Sequence, residues 1–149
     1  MSGALNHSPG QILQQLLIDQ LLGTAPSAAG SFPVYYSVEV NSPDDLLTTF
    51  DSESSKSGKL FDGTVQEKYG TQVRCRTGSG AGAYKTNFRK CNAIVIALDP
   101  LARVSVTIDS NTYLIDELNR VSGPLSIGQD EQKRRLFTIN YLIGITQTV

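Results

Sequence analysis

The sequence is short of the groups that most catalytic and metal centres need. His7 is its one histidine and Cys75 and Cys91 its two cysteines, too few for the usual four-ligand zinc set. The cysteines have only each other as disulfide partners. Each falls on the expected inward face of its element, which predicts buried free thiols in a reducing compartment, with a mutual disulfide as the alternative. There is no basic excess: the formal net charge is -1, which argues against a domain that grips nucleic acid. No basic flank precedes the first apolar stretch, and Asp19 interrupts it. Neither a signal peptide nor a membrane span is expected, so the product should stay in the cytoplasm where it is made.

What is present suffices for one domain. A chain of 149 residues buries about two thirds of the surface it exposes when unfolded. "SPGQILQQLLIDQLLGTAP" predicts a helix with Ser8 as N-cap, Pro9 at the first helical position and Gly23 near its stop. Its apolar residues, Ile12 to Leu22, form a wide stripe for a sheet or a neighbouring subunit. "FPVYYSVEV" alternates as a half-buried strand, and "LLTTFDSE" is its expected partner across the turn-rich "NSPDD". "DSESSKSGK" has almost nothing to bury and predicts a mobile loop or extended arm over 51–63.

"TQVRCRT" alternates again, with Val73 and Cys75 inward and Gln72, Arg74 and Arg76 outward. "AYKTNFRKCNAIVIAL" places Tyr84, Phe88, Cys91, Val95 and Leu98 on one face of a helix that ends before Pro100. The last third predicts sheet: "RVSVTID", then "NTYLID" after a turn at Ser110 and Asn111, then "RLFTINYLIGIT" with Phe137, Ile139, Tyr141, Ile143 and Ile145 on alternate positions. The polar "SIGQDEQKRR" is a hairpin-type connection.

The glycines of "RTGSGAGAYKT" raise the question of a nucleotide. A P-loop needs glycines where Ser79 and Tyr84 stand. The dinucleotide pattern fits better, since Gly78, Gly80 and Ala83 satisfy it and Asp99 follows at a suitable distance. Its context does not fit, because a central parallel strand is nearly continuously apolar whereas Gln72, Arg74 and Arg76 alternate here. The expected role is a flexible strand-to-helix connection in which Gly78, Gly80 and Gly82 take conformations other residues resist. The hydroxyls and carboxylates of "DSESS" lack a paired base. Asp44, Asp45, Asp51 and Glu53 lack the spacing of a calcium loop. Arg134 and Arg135 end a charged hairpin, as edge protection or an interface contact. Neither catalysis nor a bound cofactor is expected.

Three stretches together resemble the tail-terminator and minor-capsid proteins of the head–tail neck of long-tailed bacteriophages. They are "FPVYYSVEVNSPDDLLTTFDS", "YGTQVRCRTGSGAGAYKTNFRKCNAIVIAL" and "GPLSIGQDEQKRRLFTINYLIGI", in that order, with the N-terminal helix in the expected place. The resemblance covers the chain from about Phe32 onward. It implies a single α+β domain, a curved, mostly antiparallel or mixed sheet flanked by an N-terminal and a central helix. It further implies a homo-hexameric ring in the virion, assembled in the host cytoplasm, that caps the tail tube, stops its polymerisation and meets the head connector. Viral DNA would pass through without sequence-specific binding, and a slightly acidic chain suits that. On this view Asp51, Glu53, Lys56, Lys59 and Asp62 lie on a loop facing the channel or the next ring. Arg74, Arg76, Arg134 and Arg135 are candidate inter-subunit contacts. Other neck rings, an adaptor or a stopper, are the nearest alternatives; a small nucleotide-binding domain and a monomeric cellular adaptor are more distant ones.

Overall fold

The computed structural model describes residues 5–28, 30–59, 61 and 65–148, without the side chains of 55–59, 65, 66 and 148. Helix α1 spans Pro9–Asp19. The hydroxyl of Ser8 accepts from Gln11 N and the Gln11 side chain accepts from Ser8 N, so two of the free amides of the first turn are satisfied reciprocally. The helix stops two residues before Leu21, which turns left-handed at φ 59° and stands exposed, so Gly23 is not the terminator. Ile12, Leu13, Leu16 and Leu17 are fully buried, each worth about 1.5–3 kcal/mol relative to exposure.

One curled, mixed sheet carries the fold. Its strands are β1 (Val34–Tyr36), β2 (Leu46–Lys59), β3 (Val65–Thr77), β4 (Val104–Ile108), β5 (Asn111–Gln129) and β6 (Arg135–Thr148), in the order β1-β2-β3-β6-β5-β4. Helix α2, Ala83–Leu98, links β3 to β4. All neighbours are antiparallel except β1 and β2. Register aligns Cys75 with Phe137 and Val73 with Ile139, and Leu47 with Cys75. These side chains therefore share one face, together with buried Tyr113, Ile115, Tyr141, Ile143 and Ile145. Both helices lie against it: α1 meets β1, β2, β3 and β4, whereas α2 meets β3, β6 and β5. By touching strands near both ends of the order, α1 closes the mouth of a half-barrel.

The first strand is shorter than the alternation predicts. Ser37 turns to φ 65° and donates its N–H to Thr49 O, ending β1 at Tyr36; Val38 is then exposed. The segment 37–45 crosses the second face of the sheet instead of forming a tight turn, and this is why β1 and β2 run parallel. Beneath the segment Leu46, Thr48, Arg76 and Thr138 are buried.

Of the two expected forms of 51–63, the described residues as far as Lys59 take the arm and not the loop. Asp51–Lys59 continues β2, and Ser55 to Lys59 pair with Lys68 to Val65. Since β6 joins β3 only from Tyr69 onward, these residues form a two-stranded arm beyond the sheet. At its base Gly70 lacks the Cβ that would collide with Glu53 O, which permits the β2 bulge there. Asp62 lies outside the described residues. Between β4 and β5 the turn residues are Asp109 and Ser110, both with positive φ, one position earlier than the sequence suggests. No described helix is long and apolar enough to cross a membrane.

Candidate functional site

The glycine connection precedes α2, as expected, but the topology around it is wrong for a dinucleotide. Strand β3 is antiparallel to both neighbours, and β4, the next strand, lies at the far end of the sheet order. No parallel β-α-β unit is formed. The carboxylate of Asp45 accepts the N–H of Gly78 at 3.0 Å, so an anion of the protein's own occupies the first amide a phosphate would need. Gly78, Gly80 and Gly82 all avoid positive φ. Their expected conformational role is therefore corrected: the backbone here does not require glycine. The candidate acidic cluster is likewise dispersed, and among the described residues no three His, Cys, Asp or Glu side chains gather as metal ligands.

Asp51 belongs to the fold and not to the arm. Its Oδ1 accepts Gly10 N at 2.7 Å in the first turn of α1, and its Oδ2 accepts the Tyr36 hydroxyl at 2.8 Å. A carboxylate at a helix N-terminus is favourably placed against the helix dipole. Burial raises the Tyr36 pKa; the Ser8 hydroxyl, donating to it at 2.7 Å, partly offsets this, and Asp51 adds to it. Glu53 is exposed on the same strand. Lys56 and Lys59 sit in the arm, opposite Glu67 and Val65.

The four arginines part company. Arg76 was expected outward, yet it is 2% exposed because 37–45 folds over it. Its Nε donates to Asp44 O at 3.0 Å and its Nη2 to Pro43 O at 2.6 Å, while Nη1 lies 3.6 Å from Glu39 Oε1. Arg134 is also buried; its Nε donates to Asp130 Oδ2 at 2.7 Å and its Nη2 to Asn41 Oδ1 at 3.3 Å. Burial lowers the Arg76 pKa first, and the neighbouring Arg134 charge lowers it further, against Glu39, Asp130 and Asp44. Arg74 remains half-buried, donating to Glu39 Oε2 at 3.0 Å with its guanidinium 5.0 Å over the Phe50 ring. Arg135 has a buried Nε with no hydrogen-bond partner among the described residues, and its carbonyl accepts from Asn87.

Together Arg74, Arg76 and Arg134 line a cleft of about 290 Å³ with Glu39, Asn41, Asp130 and Leu136. The sequence identified the arginines but not their partners. Those partners come from the 37–45 crossover and the β5–β6 turn, regions far apart in the chain.

The two cysteines are buried and free. Burial pushes the Cys75 thiol well up, and the adjacent Cys91 pushes it further, so neither environment favours a nucleophilic thiolate at Cys75. Asn87, absent from the predicted helix face, is buried and donates to Cys75 O at 2.9 Å and Arg135 O at 3.1 Å. It ties α2 to two strands at once. Tyr84 and Phe88, expected in the core, are about half exposed on the rim of Phe137. Compared with known proteins, the chain matches no family model and no curated protein.

Proposed function

We propose that this chain is a structural subunit of a phage neck: a tail terminator whose copies close into a homo-hexameric ring in the virion. The ring caps the tail tube, stops its polymerisation and joins it to the head connector. The observation that carries the proposal is the two-stranded arm beyond the sheet, Ser55–Lys59 against Val65–Lys68. A lone two-stranded ribbon is marginal in water, so an arm of this kind is suited to ordering against another ring or a tube end.

The sheet edges support the same reading. Beyond Thr49, β2 has no outer neighbour, and beyond Ile115, β5 has none either, among the described residues. Edges at both ends of one sheet suit head-to-tail contacts that close by rotation. The buried arginines hold the crossover that covers the sheet, which leaves Arg74 and Arg135 as the better candidates among the four for contacts between copies. In this account the ring carries out no chemistry, and DNA passes through its channel without being gripped. The nearest alternative is an adaptor or stopper ring at the same neck, which differs in subunit number and in the partner bound.

The test is native mass by light scattering, alone and with purified tail tubes. Six copies, either free or only on a tube end, is the expected result. A protein that stays monomeric in both settings would exclude the ring.

A further inference from the structure

The crossover 37–45 leaves part of the second face of the sheet uncovered. Register sets Thr138 of β6 between Arg74 of β3 and Leu125 of β5, and Leu136 in the same way between Arg76 and Gly128. Directly paired residues point to one face. The exposed Leu125 and the half-buried Leu136 therefore continue the second face outward from the arginines. The cleft of about 290 Å³ opens at this margin, lined by Glu39 and Asn41 from the crossover and by Leu136 from β6.

Its floor is cationic. The side chains of Arg76 and Arg134 are 2% and 8% exposed, whereas Arg74, at 31%, stands at the mouth. Arg134 directs its donors to Asp130, Asn41 and Asp44. Arg74 and Arg76 keep some of theirs. Among the described residues, Nη1 of Arg76 has only its 3.6 Å ion pair with Glu39, and Nε and Nη2 of Arg74 have no hydrogen-bond partner, since its Nη1 alone reaches Glu39. The Phe50 ring, 5.0 Å from the Arg74 guanidinium, holds that group in place.

The charges in the lining do not balance. Three guanidinium groups face two carboxylates, those of Glu39 and Asp130. Asp44 adds a carboxylate from outside the lining, 3.5 Å from Arg134, but its side chain is 64% exposed and solvent screens it. One further negative charge balances the lining, whereas Glu39 and Asp130 would repel a dianion. A guanidinium fork matches the two oxygens of a carboxylate. The volume suits a group of side-chain size and is too small for a nucleotide.

We infer that this cleft binds a monocarboxylate carried on a short apolar stem, its oxygens against Arg74 and Arg76 and its stem on Leu136 and Leu125. The acid is either free or the side chain of an acidic residue flanked by apolar ones in a peptide. The inference stands independently of the ring reading.

NMR titration at constant ionic strength tests it. Isovalerate and the peptide acetyl-Leu-Glu-Leu-amide are the probes; isovaleramide and inorganic phosphate are the controls. Carboxylate is expected to shift the Arg74 Nε–H and the amides of Asn41, Asp130 and Leu136 saturably, and the tighter of the two probes identifies the source. The neutral amide is expected to shift none of them, and phosphate to bind more weakly than either acid. Arg74→Gln removes the free donors at a part-exposed site and is expected to weaken binding about tenfold, the worth of one charge-assisted hydrogen bond. Leu125→Ser is expected to weaken isovalerate and leave acetate unchanged. Circular dichroism with thermal melting checks that both variants fold.

The absence of a saturable shift with both carboxylates overturns the proposal. So does isovaleramide binding as well as isovalerate, phosphate binding more tightly than both acids, or either folded variant binding isovalerate as the wild type does.

Discussion

Arg76 and Arg134 donate to the same carbonyl, that of Asn41, although they come from strand β3 and from the turn before β6. Two like charges are thus held in one buried place by carbonyls of the crossover and by Glu39, Asp44 and Asp130. The arrangement fixes 37–45 over the second face of the sheet. Replacing Arg76 with Ala removes donors from Asp44 O and Pro43 O and leaves Glu39 with less compensation. The expected loss is about 3 kcal/mol, in the range for breaking one member of a buried charged cluster. Arg74→Ala, at a more exposed site, should cost under about 1 kcal/mol. Urea unfolding of the two variants checks the contrast; equal losses would contradict it.

The hydroxyl of Tyr141 is buried without a hydrogen-bond partner among the described residues. Burial raises its pKa strongly, and the charge of Asp99 raises it further. An unsatisfied buried polar group costs about 1–3 kcal/mol. Tyr141→Phe is therefore expected to keep or raise the melting temperature, whereas most core substitutions lower it. A clear drop on thermal melting would show that the hydroxyl has a partner in solution.

Acid should loosen the β5–β6 turn. Burial pushes the Asp130 carboxyl up, but the N–H groups of Arg134 and Gln132 and the Arg134 guanidinium outweigh it and hold the pKa below 3.8. Glu117 is held below 4.5 mainly by hydrogen bonds from Asn119 and Lys68. Both are depressed groups, so their stabilising contribution is complete above the ordinary carboxylate range and is lost as pH falls through the folded values. Melting temperature measured from pH 6 to pH 3 should fall, and Asp130→Asn should flatten the part of the fall that Asp130 contributes. An unchanged slope in that variant would contradict the assignment.

Shortening the arm separates its role from folding. The arm lies beyond the point where β6 joins β3, which is Tyr69. Replacing 55–66 with a tight turn is expected to leave the melting temperature and ring mass close to wild type while reducing the yield of joined heads and tails. Loss of folding would show that the arm belongs to the domain's own stability.

The elements written by local chemistry were legible in the sequence. The Ser8-Pro9 start of α1 is set by orphan amides that only nearby residues satisfy, and the alternation of β6 follows from one buried face. Non-local partners hid the rest. Asn87 looks like a surface residue until the carbonyls of Cys75 and Arg135, from two strands, are brought to it, and for that reason the buried face of α2 is turned away from Tyr84 and Phe88. Arg76 alternates outward as its strand dictates, but a crossover then covers it. The arm has no apolar pattern because its strands are held by main-chain pairing, which leaves little trace in side chains.

The central claim is arrest of tube growth, and tube length measures it most directly. Purified tail tube protein is allowed to polymerise with increasing amounts of this chain, and lengths are read by electron microscopy. The account predicts tubes that stop lengthening and carry one terminal ring. Tubes that grow as they do without the protein, with no density at their ends, would contradict it.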